Sequence, residues 1–235
     1  MTKPPCELNI FITCMREEEN LKILLPRLIG ILDDYGITYR ILVVDTVTPM
    51  DGTPEVCAGF ENVDYVPTDG GKDGYGRAVR TGIGRVDAQY AILMDGDLSH
   101  PPEVIPSMLD LRESHDMVIA SRYTEGGGSE DYFLNHLMSR ALNIFCSTLL
   151  GIDCKDWSTS FKLYKAPQIK ALPLACEHFD IHQEIICKLH ENHPDFKFAE
   201  VPMSFSKRVH GSSTRQFSYG FSIAKTILKL RLGLM

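Results

Sequence analysis

Residues 91–103 read AILMDGDLSHPPE. Four apolar residues run without interruption into Asp95, Gly96 and Asp97, and Pro102 follows where a helix can begin. A short continuous apolar run bounded by turn residues fits a strand buried on both faces, and proline suits the first turn of a helix. Strands buried on both faces belong to parallel sheets, where ligands sit beyond the carboxyl ends of the strands. The stretch therefore puts two carboxylates where a ligand binds. The glycine between them lets the backbone turn and leaves room for a bulky group. Carboxylates this close repel one another unless a cation lies between them. An all-oxygen donor set suits Mg²⁺ or Mn²⁺, with substrate phosphates completing the shell. An acidic turn capping the next helix is the simpler alternative, because Asp-x-Asp alone is a weak signal.

The rest of the chain alternates in the same way. Apolar runs at 8–13, 39–45, 62–66, 90–95 and 116–120 read as strands, and 18–32, 74–86 and 102–114 carry helical spacing. Alternating strands and helices imply an α/β fold with a mostly parallel sheet covered on both faces. Its ligand-facing segments are 13–17, 45–53, 95–100 and 121–123. In the second half, 126–129 reads as a flexible loop, 158–164 and 197–201 as strands, and 134–150, 181–190 and 218–232 as helices. This half is expected to pack on the sheet edge and supply the far side of the cleft. The 235 residues are expected to form one domain, 1–122 binding one substrate and 123–235 the other.

The chain carries a formal net charge of −7, which argues against a nucleic-acid partner. No Asp or Glu follows Glu200, whereas Lys207, Arg208, Arg215, Lys225, Lys229 and Arg231 do, so the tail is basic and suits an anionic partner. The seven cysteines form no C-x-x-C pair, which fits a reducing compartment and excludes a disulfide framework or zinc site. The N-terminal MTKPPCELNIFIT is too short an apolar run for a signal peptide, and no stretch approaches the ~18 apolar residues of a membrane span. The expected location is cytoplasmic, with a peripheral place on a membrane open to the 218–232 helix. That helix either docks on the domain, with Phe217, Phe221, Ala224 and Leu228 on one stripe that Ile227 and Leu230 widen, or lies in a lipid interface.

Several separated motifs, in order, resemble inverting family 2 glycosyltransferases, especially dolichol- or polyprenol-phosphate mannose synthases. Residues 95–102 resemble the family's Asp-Ala-Asp-Leu-Ser/Gln-His-x-Pro, with Gly96 replacing alanine. Glu17-Glu18-Glu19-Asn20-Leu21 resembles the start of its first helix, where Arg16 replaces an asparagine. Lys72 to Ala78 resembles its Lys-x-Gly-x-Gly-x-Ala, and Ser121-Arg122-Tyr123 its Ser-Arg-Tyr. Asp156 to Tyr164 resembles its Asp-x-Thr-(Ser/Gly)-(Gly/Ser)-Phe-Arg-x-Tyr. Glu200-Val201-Pro202 and Arg208-Val209-His210-Gly211 resemble its last motifs. Residues 43–53 depart from Val-Asp-Asp-Gly-Ser-x-Asp-Gly-Thr: Asp45 and Asp51-Gly52-Thr53 are kept, but Thr46 replaces the second aspartate. Thr214 stands where the family has lysine.

The resemblance implies a GT-A-type nucleotide-sugar fold and an inverting hexosyl transfer from a nucleotide-diphosphate sugar, GDP-mannose favoured, to a polyprenyl or dolichyl phosphate. A saccharide hydroxyl acceptor, and a non-catalytic nucleotide- or membrane-binding homologue, are the alternatives. By that match Asp95, Asp97 and Ser99 hold Mg²⁺ or Mn²⁺, and Thr13, Met15, Glu17, Asp45, Lys72, Gly76, Asp95 and Gly96 line the donor. Arg122, Arg140, Glu184, Arg208 and Ser213 face the acceptor, and Asp97, Arg122, Asp156 and Arg208 carry the reaction. Guanidinium forks match phosphate oxygens, and a carboxylate such as Asp45 accepts hydrogen bonds from a base or ribose. Asp156 or Glu184 would serve as base for a hydroxyl acceptor. For a phosphate, already ionised at neutral pH, Asp156 would instead orient arginines.

Overall fold

The computed structural model describes residues 6–130, 133–206 and 218–234. In chain order its elements are β1 (Leu8–Thr13), α1 (Glu18–Tyr35), β2 (Tyr39–Asp45), α2 (Thr53–Ala58), β3 (Val63–Pro67), α3 (Tyr75–Arg85), β4 (Tyr90–Asp95), a 3-10 turn (Pro102–Val104), α4 (Ile105–Leu109), β5 (Met117–Ser121) and β6 (Gly128–Ser129). There follow α5 (Phe133–Leu150), β7 (Lys162–Lys165), α6 (Ala166–Lys170), α7 (Ile181–Asn192), β8 (Phe198–Pro202), β9 (Ser204–Phe205) and α8 (Ser218–Arg231).

Seven strands form one sheet in the order β3-β2-β1-β4-β7-β5-β8, parallel except at β7, while β6 and β9 make a separate short pair. The period-two alternation of β1 sorts its side chains to two cores. Leu8, Ile10 and Ile12 pack with Leu21, Leu24, Leu25 and Leu28 of α1. Phe11 packs with Val79 and Ile83 of α3 on the other face. From β1 the chain steps outward through β2 to β3, then returns with β4 on the opposite side of β1. That reversal opens a crevice between the carboxyl ends of β1 and β4, where Thr13 and Asp95 lie in register.

Strands β1, β2 and β4 have the expected bounds, and β3, β5 and β8 lie one residue later than their patterns indicate. The second half does more than pack on the sheet edge, because β7 inserts antiparallel between β4 and β5. The strand expected over 158–164 starts only at Lys162. Side chains capture the preceding amides: Trp157 N donates to Asn143 Oδ1, Thr159 N to Asp156 Oδ1 and Phe161 N to Thr159 Oγ1. Such local bonds compete with a ladder. The helix expected over 102–114 closes at Leu109 and continues as i→i+3 turns. The loop expected over 126–129 contains β6. Helix α8 docks through Ile223 and through Ile227 and Leu230 of the expected stripe, while Leu228, expected on the same stripe, is 54% exposed.

The α3–β1 contact is close because residue 82 has no side chain: a Cβ there would collide with the Phe11 ring, whereas one at Gly30 on α1 meets nothing within 4 Å. Gly82→Ala should destabilise the fold by about 1–3 kcal/mol through overpacking. Gly30→Ala should stabilise it by roughly 0.5–1 kcal/mol through helix propensity. Urea midpoints at unchanged slope would read both.

Candidate active site

The carboxyl ends of β1, β2 and β4 bring Thr13, Asp45 and Asp95 to one rim. Asp45 is 1% exposed and receives the Tyr65 hydroxyl on Oδ2 at 3.2 Å. Burial raises its pKa above the ordinary carboxylate range, partly offset by hydrogen bonds from Thr46 and Tyr65. A carboxylate in that condition gains from any further N–H or O–H donor, which a base or a ribose diol supplies. Thr68 fastens the strand end by donating from N and Oγ1 to the Asp45 carbonyl. Asp73 accepts the Val47 amide at 2.8 Å, which folds the 69–74 loop, and with it exposed Lys72, over the end of β2. Asp51, Gly52 and Thr53 join the start of α2 to that of α1: Glu18 N donates to Asp51 Oδ2 and Gly52 N to Glu18 Oε2, both at 3.0 Å.

Asp95 is half-buried; Oδ1 lies 3.4 Å from both the Thr13 and the Tyr75 hydroxyls, which donate to it. Asp97 is 9% exposed, and its Oδ1 accepts both the amide and the hydroxyl of Ser99. Ser99, expected among the metal ligands, is buried, and its hydroxyl donates to Asp97, which sets its oxygen beside that carboxylate. Gly96 is required by space, since a Cβ there would stand 2.7 Å from Cys14 Sγ. His100 Nδ1 accepts the Asp95 amide at 3.1 Å and its ring stacks on Phe161, so the turn is fastened from beneath. Leu98 (φ 64°) and Arg16 (φ 60°) adopt the left-handed conformation without being glycines, a strain that collects at functional loops. Asp95 and Asp97 offer carboxylate oxygens alone, the donor chemistry of Mg²⁺ or Mn²⁺. Among the described residues no cluster of three or more His, Cys, Asp or Glu surrounds such an ion. Two carboxylates leave most of such an ion's shell to other oxygens, which a diphosphate could supply.

Met15 is exposed at the rim. Glu17 is buried and accepts the Asn20 side-chain amide at the start of α1. Gly76 lies in the first turn of α3, where a Cβ would collide with the Cys176 carbonyl.

Across the crevice, Arg122 follows the end of β5. Its Nε and one terminal nitrogen donate to Asp156 at 2.8 and 2.7 Å, and the same terminal nitrogen reaches Ser158 Oγ and Ser139 Oγ. Tyr123 and Phe205 flank the guanidinium, ring centroids 5.2 and 5.5 Å away. Asp156 is fully buried. Burial alone would raise its pKa, but the Arg122 charge and hydrogen bonds hold it below the usual range. A carboxylate so committed is a poor general base, which corrects that reading of Asp156; it orients Arg122. Lys162 lies behind the pair, its pKa pushed down by burial to about 8, and its ammonium donates to the Trp157 and Thr159 carbonyls.

Glu184 does not face an acceptor. It is fully buried and accepts the amides of Ala175 and Cys176 and the Lys188 ammonium. Burial opposes its ionisation, but these donors bring its pKa below the ordinary value. Arg140 is exposed on α5, and its neighbour Ser139 makes the contact with Arg122. Arg208 and Ser213 lie outside the described residues.

Sequence reasoning missed Phe205. Its ring meets His100 at 5.8 Å and Arg122 at 5.5 Å, and Ser206 N donates to the Ser99 carbonyl, so β9 joins the acidic turn to the arginine. The two-residue β9 leaves no periodicity to read.

Residues 9–171 match the model of the family described as glycosyl transferase family 2. A dolichol-phosphate mannosyltransferase of Pyrococcus furiosus is 30% identical over 231 residues, 95% of this chain and 63% of the relative, so the chain spans less than two thirds of that protein. An undecaprenyl-phosphate mannosyltransferase of Micrococcus luteus is 29% identical over 80% of this chain and 81% of its own length. The crystal structure of glucosyl-3-phosphoglycerate synthase from Mycobacterium tuberculosis with Mn²⁺, UDP and phosphoglyceric acid superposes at TM-score 0.71 and 13% identity, covering 97% of this chain and 78% of that one. The fold is of the GT-A type.

The Arg122–Asp156 pair makes a test of its own. Asp156→Asn leaves a buried guanidinium without its counter-charge and should destabilise by roughly 3–5 kcal/mol. The folded pKa of Asp156 lies below its unfolded value of ~3.9, so its contribution is complete above that pH and is lost as pH falls through the folded value. The difference in urea midpoint between wild type and variant should hold between about pH 5 and 7 and narrow below about pH 4.

Proposed function

The chain belongs to glycosyl transferase family 2, and from that premise we propose that it moves a hexose, mannose from GDP-mannose favoured, onto a polyprenyl or dolichyl phosphate with inversion. The observation that carries the reading is the pairing of two kinds of carboxylate across one crevice. Asp95 and Asp97 stand at the donor rim with an oxygen-only set, while Asp156 and Glu184 are buried and committed to internal cations and amides. A hydroxyl acceptor needs a base; a phosphate, ionised at neutral pH, does not. The commitment of Asp156 and Glu184 thus favours a phosphate acceptor over a saccharide.

In this reading Asp45 receives hydrogen bonds from the base or ribose of the donor. Asp95 and Asp97 hold Mg²⁺ or Mn²⁺, which supplies charge neutralisation to the departing diphosphate. Arg122, fixed by Asp156, Tyr123 and Phe205, turns a cation toward the acceptor side, and Arg208 is proposed to join it. The acceptor oxygen attacks the anomeric carbon from the face opposite the diphosphate. The relatives named for polyprenyl-phosphate mannosyl transfer support this choice of acceptor and sugar.

A lipid acceptor requires access to a membrane surface, and one face of the chain suits it. On α5, Leu137, Met138, Ile144 and Phe145 are 46–59% exposed and share a side by helical spacing. Helix α8, which packs on α5, adds Leu228 and Leu232 together with exposed Lys225, Lys229 and Arg231. Among the described residues no helix is long and apolar enough to cross a membrane. We place the protein peripherally, on the cytoplasmic face, with these helices in the headgroup layer.

The deciding experiment offers purified protein GDP-mannose, UDP-glucose and Mn²⁺, with either a polyprenyl phosphate in detergent or a soluble saccharide. Transfer from GDP-mannose to the lipid phosphate is expected, with Asp97→Asn lowering kcat by about 10²–10³-fold while staying folded. Undiminished activity in excess chelator would remove the metal from the reading, and transfer to the saccharide alone would remove the lipid. Asp45→Ala should act chiefly on donor KM, because its contacts are made equally in ground and transition states.

The surface is tested apart from the chemistry. Ile144→Glu with Phe145→Glu should weaken sedimentation with phosphatidylserine vesicles about tenfold and leave the thermal midpoint in place.

A further inference from the structure

Asp95 is held on one oxygen only. Thr13 and Tyr75 both donate to Oδ1, and among the described residues no hydrogen bond reaches Oδ2. Behind Tyr75 stands a histidine that the donor site does not otherwise use: His182 Nε2 lies 2.9 Å from the Tyr75 hydroxyl, and the imidazole is 1% exposed. The hydroxyl has a single proton. When it points at Asp95, the His182 contact must run the other way, with Nε2–H donating to the tyrosine oxygen. The direction of the chain is then His182 to Tyr75 to Asp95.

The chain is rigidly seated. The Phe179 ring stacks on Tyr75 with centroids 4.1 Å apart. Gly76 N donates to the Glu177 carbonyl at 3.0 Å, so residues 176–177 lie against the first turn of α3. Asp180, at the start of α7, accepts the His178 amide at 3.2 Å and the Thr226 hydroxyl of α8 at 2.7 Å. The α7 turn that carries His182 is therefore tied to α3 on one side and to α8 on the other.

We propose that Tyr75 and His182 form a positioning pair that holds Asp95 by Oδ1 and presents Oδ2 to the cation and diphosphate of the donor, a role that rests on the function proposed above. Two carboxylates one residue apart repel, and an untethered Asp95 swings away from Asp97 until a cation draws it back. A side chain already held in place loses less freedom on binding. His182 is a positioning residue acting through Tyr75, not a group that touches the substrate.

The test is Mn²⁺ titration of the full chain by electron paramagnetic resonance, with and without GDP or UDP. Tyr75→Phe removes one oxygen and keeps the ring on Phe179, which guards against loss of fold. It should weaken Mn²⁺ binding in the presence of nucleoside diphosphate about three- to tenfold, the scale of one lost hydrogen bond. His182→Leu should do the same, and His182→Gln, whose amide reaches the position of Nε2, should recover most of the affinity. In turnover assays the loss should fall on donor and metal KM more than on kcat. Wild-type Mn²⁺ affinity in Tyr75→Phe and His182→Leu, or a glutamine variant no better than leucine, would overturn the proposal. Failure of the wild-type protein itself to bind Mn²⁺ with either diphosphate would overturn the functional reading beneath it, a result distinct from the first.

Discussion

Moving a carboxylate out of water costs several kcal/mol unless donors or a cation replace its hydration shell. The buried carboxylates Asp156, Glu184 and Asp45 meet that constraint in two different ways. Asp156 and Glu184 are answered from within the chain, by Arg122 with Ser158 and by Lys188 with two amides, and both have pKa values below the ordinary range. Asp45 is buried almost as deeply, yet burial raises its pKa, because the hydrogen bonds from Thr46 and Tyr65 do not make up for lost water. The first two belong to the scaffold, whereas Asp45 stands at a strand end, on the same rim as Asp95.

The scaffold carboxylates also bind the halves of the chain together. Glu200 on β8 accepts the amides of Lys155 and Asp156, so the loop that carries the Arg122 partner is hung from the sheet edge. Strand β7 follows that loop and inserts between β4 and β5, which brings Lys162 beneath the ion pair and fixes the distance between the acidic turn and the arginine. Phe205 closes the same gap from above. A cleft built this way has walls that share one packed core, and a substitution on one wall is felt on the other.

The parts legible in the sequence are those with a strong local pattern. LNIFIT, YRILVVD and YAILMD announce buried strands by composition alone, and Asp95 and Asp97 inherit their position from the last of them. Helices α1, α3 and α7 begin at or next to the expected residues because their apolar spacing is regular. What escaped has no local signal. Arg122 and Asp156 are 34 residues apart, and the expectation that Asp156 orients arginines rests on the resemblance and not on any local pattern. Glu184 sits on a helix whose nine leading residues are all buried, so a polar residue there reads as surface or site when it is neither. The late start of β7 has the same origin: the Asp156, Thr159 and Asn143 side chains take amides that the β-branched and aromatic composition of 158–164 assigned to a ladder. Arg208 and Ser213, expected on the acceptor side, lie outside the described residues.

The geometry of α5 bears on the choice between a lipid and a saccharide acceptor. An acceptor with an anionic head and an apolar tail needs a cation inside the cleft and an apolar surface close to it; a saccharide needs neither. Ser139 touches Arg122, while Met138, the preceding residue, is 49% exposed. One helix, roughly 10 Å thick with its side chains, therefore separates the guanidinium from the outer apolar face. Lys225, Lys229 and Arg231 of α8, a helix that packs on α5, are exposed as well, and the acidic groups of the chain all precede residue 201. Under the proposed function, such a distribution would turn the basic, apolar side toward an anionic surface. The two substrates of the proposed reaction differ in the same respect, one confined to a membrane and the other dissolved, and the polarity of the chain matches that difference.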